Sequence, residues 1–284
     1  MRSRSLFRTN VPAIRPSHCK AGRRLLVCLR KNGYLCPMTK KQDIRLVAFD
    51  ADDTLWDNQT YFDRTEAEYA RLLADYGSRE EVSAALFKTE TANMPLLGYG
   101  SKAFTISLVE NAIAFSGGRI GADTIANIVE LGKNLLRLPA DPLPEVEPTL
   151  RRIRKEGRLA MAVFTKGEIL DQQNKLHRSG LESYFDDVIV VADKTREEYV
   201  RLCRREEVAI GEMLMVGNSF RSDIEPVLQL GGWAAHIPFH TLWKHEQTQE
   251  YDHDHLVRLT HFGQLTEVLG LSPTPSDVTD MGKR

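Results

Sequence analysis

The sequence predicts an α/β protein in which a parallel sheet with helical crossovers is interrupted by an all-helical insertion. Five short apolar runs, at 44–49, 159–164, 187–192, 212–217 and 234–239, are rich in β-formers and read as strands buried on both faces. Helical patterns of crossover length separate the later four. Over a hundred residues with no strand signal separate the first run from the second. Together these predict a Rossmann-like parallel sheet core carrying an inserted all-α cap.

Taken in order, residues 1–42 form a basic extension, expected to be disordered, with eleven Lys or Arg and no Asp or Glu. Its Arg- and Ser-rich composition fits an organellar transit peptide, an upstream extension ahead of a start at Met38, or a basic arm. The core is expected over 43–56 and 139–265, the helical cap over 57–138, and a tail over 266–284. Within the cap, "NQTYFDRTEAEYARLLADYG" is amphipathic and closes at Gly77, and "SREE" at 78–81 has the form of a capping box. Phe104, Leu108, Ala112 and Phe115 share one face of a third helix, and 123–138 forms a fourth. The proline-rich stretch 138–148 returns the chain to the core as a stiff, hinge-like connector. Val146, Leu150 and Ile153 then mark a helix ending at Gly157; 168–178 runs to Gly180; 196–206 is charged and helical; 220–230 stops at Gly231.

Composition removes several function classes. The formal net charge of -1 conceals a body beyond residue 42 with 27 basic against 39 acidic residues, which excludes nucleic acid as a partner on charge. No run approaches the roughly 18 consecutive apolar residues of a membrane span, so no membrane partner is expected. Cys19, Cys28 and Cys36 lie in the head and Cys203 stands alone, which gives neither a disulfide framework nor a metal pair. A reducing, cytoplasmic location follows, or an organellar one if residues 1–37 are a transit peptide.

In an open parallel sheet the ligand crevice lies beyond the carboxyl ends of the strands, so each strand is informative in the residues just past it. The first run ends in Asp50, Asp52 and Thr54, the second in Thr165, the third in Asp193 and Lys194, and the fourth in Asn218, Ser219 and Asp223. All are polar groups suited to holding a metal and a phosphate. Four such tails on one sheet edge are more than solvation requires. Alternation of side chains places Asp50 and Asp52 on the same side, with Asp53 pointing away into a turn or cap role.

"DADDT" at 50–54, "VFT" ending at Thr165, Lys194 and "GNSFRSD" at 217–223, in that order, resemble the four motifs of the haloacid dehalogenase superfamily. The resemblance spans residues 43 to about 260, including the position of the inserted cap. It implies a Mg²⁺-dependent phosphatase acting on a small phosphorylated metabolite. Asp50 has the position of the nucleophile, giving an aspartyl-phosphate, and Asp52 that of the acid/base. Thr165 would donate to a phosphoryl oxygen and Lys194 would neutralise the transferred group. Mg²⁺ would be held by Asp50, the main-chain carbonyl of Asp52, and Asn218 or Asp223. Asn218 stands where many family members have an aspartate, which removes a full charge from the metal's surroundings.

"GYGSKAF" at 98–104 offers a specificity loop, with Lys102 meeting an anionic substrate, or simply a surface helix start. Six histidines between His236 and His261 match no metal motif and read as surface or packing residues, with His240 placed after a strand end. Two other activities stay open at this stage. One is a metal-independent 2-haloacid dehalogenase, against which Asp52 argues; the other is a catalytically weak binding or regulatory protein, which Asn218 favours.

Overall fold

The computed structural model describes residues 43–271, which fall within a single compact unit. The expected basic extension and residues 272–284 of the expected tail lie outside the described residues. Six strands, β1 Leu46–Phe49, β2 Ala160–Lys166, β3 Asp187–Val191, β4 Met213–Gly217, β5 Trp233–His236 and β6 Leu256–Arg258, form one sheet in the order β3-β2-β1-β4-β5-β6. Every pair is parallel. The apolar runs explain this. Val47, Phe49, Met161, Val163, Leu214 and Val216 face one apolar cluster. Their neighbours Leu46, Ala48, Ala162, Phe164, Met213 and Met215 face the other. A strand apolar at every position can be buried only between two layers, and each such side chain contributes about 1.5–3 kcal/mol when fully buried.

Two strand expectations are corrected. The fifth run stops at His236, two residues before Pro238, which has no N–H to give a neighbouring strand. β6 has three residues, too short to show a pattern, and was not anticipated.

Helices α5 Val146–Glu156, α6 Ile169–Ser179 and α7 Arg196–Arg205 make the crossovers. The expected helix 220–230 is instead a π-turn, Phe220–Ile224, leading into the short α8 Glu225–Gln229. Pro226 in the first turn of α8 has no N–H to donate to Ser222 O, and the Tyr199 hydroxyl occupies that carbonyl at 2.8 Å. The boundary expected at 265 also moves. α9 Leu265–Val268 buries Leu265 and Val268, and with Leu269 and Leu271 they join the cluster of Phe49, so the chain stays in the core through Leu271.

Between β1 and β2 the chain folds into α1 Gln59–Leu72, α2 Arg79–Leu97, α3 Ser101–Phe115 and α4 Ala122–Leu135. These helices close a separate apolar cluster that includes Tyr69, Val82, Leu86, Leu108 and Ile128. α2 opens with a capping box: Glu81 N donates to Ser78 Oγ and Ser78 N to Glu81 Oε2. The chain leaves and re-enters the core side by side, with Trp56 bridged to Pro142 and Leu143 N donating to Leu55 O at 2.8 Å. No helix among the described residues is long and apolar enough to cross a membrane.

Candidate active site

The strand order reverses between β1 and β4, where an open parallel sheet leaves a crevice at its carboxyl edge. Phe49 is level with Val216, and Asp50 N donates to Val216 O at 2.9 Å, so Asp50 and Asn218 emerge side by side. The Thr54 hydroxyl is shared between them, 3.1 Å from Asp50 Oδ2 and 3.2 Å from Asn218 Oδ1. Lys194, two residues after β3's neighbour Ala192, reaches across to pair with Asp50 Oδ1 and, at 2.6 Å, with Asp223 Oδ1. Asp223 Oδ2 accepts Ser219 N–H at 2.9 Å. The π-turn presses Asp223 so closely on Gly217 that a Cβ there would lie 2.3 Å from Asp223 Oδ2, so only glycine fits.

Asp50, Asp52, Thr165, Lys194, Asn218 and Asp223 all line one cavity of about 160 Å³. Thr165 is buried, and its hydroxyl makes only a 3.5 Å contact with Lys166 O, which leaves it free to donate into the cavity. Burial and then Asp223 push the Asp50 carboxyl up to about 7, against the pull of Lys194. Burial would discharge Lys194, but Asp223 and Asp50 outweigh it and hold the ammonium charged.

Asp52 sits among donors. Oδ1 accepts from Trp56 Nε1 at 2.8 Å and Lys175 Nζ at 3.1 Å; Oδ2 accepts from Gln172 Nε2 at 2.8 Å and Lys175 at 3.2 Å. Such a shell fixes the carboxyl group's position. Lys175 is almost wholly buried, also pairs with Asp171 at 3.3 Å and donates to Asn58 Oδ1. Burial lowers its proton affinity, but Asp52 and Asp171 more than restore it. Asp53 adopts a left-handed backbone, φ 63°, and its Oδ1 accepts from Asn58 N and Gln59 N, which caps α1.

Lys102 stands apart. Its ammonium pairs with Glu168 at an exposed position and is not among the lining residues; Tyr99 of the same stretch lines the cavity instead. His236 and His245 are packing residues. The first holds Asn218 O through Nε2 at 3.0 Å, and the second stacks on Phe87 at 4.3 Å. His240 Nε2 lies 3.3 Å from Thr60 Oγ1 and is not among the lining residues.

Three parts of the cavity wall, on α6, on the segment after β5 and on α2, carry side chains that were not anticipated. Gln172 and Lys175 sit on the buried face of α6, a position the sequence pattern would give to apolar residues. Their signal was the polar set Asp171, Gln172 and Lys175 at helical spacing. Glu246, from the segment after β5, is buried with Oε1 on Lys166 and Oε2 on Ser219 and Ser222. Lys166 Nζ also donates to Ser222 Oγ at 3.0 Å. Burial raises the Glu246 carboxyl, yet Lys166 and the two serines bring it below its ordinary value. Glu90 of α2 is the third, with its carboxyl pushed up to about 7 by burial and by Glu66, partly offset by Lys244.

Among the described residues seven acids and three lysines line the cavity, an excess of negative charge that a divalent cation would balance. Among the described residues no three His, Cys, Asp or Glu side chains are grouped to hold a metal. The donor set near Asp50 is nevertheless all hard oxygen, completed by the Asn218 amide and main-chain carbonyls, and that chemistry fits Mg²⁺.

A family model described as a haloacid dehalogenase-like hydrolase matches residues 44–231. A haloacid dehalogenase-like family hydrolase from Xanthomonas campestris superposes with a TM-score of 0.70 at 31% identity, covering 84% of this chain and 92% of that one. The glyceraldehyde 3-phosphate phosphatase of Methanocaldococcus jannaschii is 27% identical over 196 residues, 66% of this chain and 82% of the relative. The N-acylneuraminate-9-phosphatase of Rattus norvegicus is 28% identical over 199 residues, 66% of this chain and 79% of the relative.

Proposed function

The chain belongs to the haloacid dehalogenase-like hydrolase family, and we propose that it is a Mg²⁺-dependent phosphatase that hydrolyses a small phosphorylated metabolite through a phosphoryl group on Asp50. The observation that carries this is Asp50 itself, a buried carboxylate at the β1/β4 switch point, paired with Lys194 on the cavity wall. The phosphatase names of the two relatives support the same reading.

In this account an Asp50 oxygen attacks phosphorus, the bond from phosphorus to the alcohol oxygen breaks, and the alcohol takes up a proton. Lys194 balances the charge on Asp50 and on the phosphoryl group in flight, and Thr165 donates to a phosphoryl oxygen. Water then attacks phosphorus, the Asp50–phosphorus bond breaks, and phosphate leaves. Asp52 serves both steps. Trp56, Gln172 and Lys175 fix its carboxyl in place, which suits it to give a proton to the alcohol oxygen in the first step and to take one from the attacking water in the second.

Asp50, the Asp52 carbonyl and Asn218 would hold Mg²⁺, which when bound supplies positive charge to the phosphoryl oxygens. Asn218 is favoured over Asp223 because Lys194 and Ser219 N–H already take the two Asp223 oxygens. The four-helix insertion acts as a cap, excluding water and selecting the alcohol. Hydrolysis of p-nitrophenyl phosphate should require Mg²⁺ and stop with EDTA. Turnover of 2-haloacids insensitive to EDTA would contradict the proposal.

A further inference from the structure

We propose that the insertion side of the cavity selects phosphomonoesters whose alcohol carries a positive charge, an amine or a quaternary ammonium, and rejects those bearing a second anion, with Glu90 determining the choice. This rests on the phosphatase reading above and deepens it.

Glu90 lines the cavity from α2, and its side chain is 13% exposed. No hydrogen-bond donor among the described residues reaches its carboxylate; the one basic nitrogen within 4.0 Å is His245 Nε2. Burial, with Arg221 adding to it, lowers that histidine's proton affinity. The other charged groups facing Glu90 are Glu66 from α1, which repels it, and Lys244, whose ammonium lies over the Phe87 ring at 6.0 Å and is not among the lining residues. A carboxylate left this way in a low-dielectric wall gains most from a cation supplied by the ligand.

The aromatic lining of the same cavity suits such a cation. Phe62 and Phe104 meet at 5.1 Å, and Tyr99 and Trp243 meet edge to face at 5.8 Å; all four line the cavity. Aromatic faces attract ammonium groups, quaternary ones above all; Lys166 Nζ already lies over the Tyr99 ring at 4.4 Å, so Phe62, Phe104 and Trp243 are the rings left for a ligand. An anion finds no counterpart. Among the described residues no arginine lines the cavity, and each of the three lysines that do is committed to acids of the core wall: Lys194 to Asp50 and Asp223, Lys175 to Asp52 and Asp171, Lys166 to Glu246.

Three esters of matched length test this: 2-aminoethyl phosphate, 2-hydroxyethyl phosphate and phosphoglycolate, each assayed with Mg²⁺ for kcat and KM. The expected order of kcat/KM is amine, hydroxyl, carboxylate, with about tenfold between successive members. In Glu90→Gln the amine-to-hydroxyl ratio should fall to about one, mainly through KM. Hydrolysis of the hydroxyl ester with phosphoglycolate turned over as well as the amine ester overturns the inference and leaves the phosphatase reading standing. A Glu90→Gln enzyme that keeps the wild-type ratio overturns the assignment to Glu90. No hydrolysis of these three or of p-nitrophenyl phosphate overturns both readings together.

Discussion

The two walls of the cavity handle buried charge in opposite ways. On the core wall buried acids are met by lysines that the sheet or its crossovers deliver: Lys194 serves Asp50 and Asp223, and Lys175 serves Asp52 and Asp171. On the insertion wall Glu90 shares the cavity with aromatic rings and, among the described residues, has no lysine partner within 4.0 Å. Paired charges are fixed in place and do the same work whatever enters. An unpaired one is left for the ligand to satisfy. In the proposed reading this difference separates chemistry, assigned to the core, from selection, assigned to the insertion.

Removing a core pairing should therefore damage turnover for every substrate. Lys194→Met should lower kcat by about 10²–10³-fold and, by stranding Asp50 and Asp223, cost about 3–5 kcal/mol of stability, readable by single-turnover kinetics and denaturant titration. Lys175→Met frees Asp52 from its central donor, and the resulting misplacement should cost up to about 10²-fold in kcat with little change in KM.

Glu90 should show the reverse, an acid whose loss helps the fold. Its carboxyl is raised from 4.5 to about 7, so the folded protein holds that proton more tightly than the unfolded chain. The stability this confers is complete below pH 4.5 and disappears as pH rises through about 7. Glu90→Gln should match wild type at the acidic end and exceed it at about pH 8, by at most about 3 kcal/mol, in paired thermal melts. Asn218→Asp is the mildest change. It adds a charge to the core wall without removing one, and the Mg²⁺ concentration for half-maximal activity should fall about tenfold. An unchanged Mg²⁺ requirement would take Asn218 out of the metal's surroundings.

The core wall was far more legible in the sequence than the insertion wall. Asp50 and Asn218 directly follow apolar strands, Thr165 is the next-to-last residue of β2 and Lys194 stands three residues past β3, and a strand end fixes where the residues beside it point. The longer strands were visible because each is built around a short apolar run; β6, three residues long, had no room for a pattern. Lys175 was missed because it lies on a buried helix face, and its partner Asp52 is 123 positions away. Glu246 was missed for a related reason: it belongs to a segment with little regular structure after β5, and only the fold brings it to Lys166, 80 positions earlier. Side-chain direction on the insertion was equally out of reach, which is why Lys102 was expected at the cavity and Tyr99 and Glu90 occupy it instead.

The nucleophile is the claim on which the rest depends. Rapid acid quench during turnover of p-nitrophenyl phosphate with Mg²⁺, followed by peptide mass spectrometry, reads it directly. A phosphoryl group on the peptide containing Asp50, absent in Asp50→Asn, is the predicted result. Turnover with no phosphorylated Asp50 at any quench time, or an Asp50→Asn protein that still hydrolyses the ester, would contradict it.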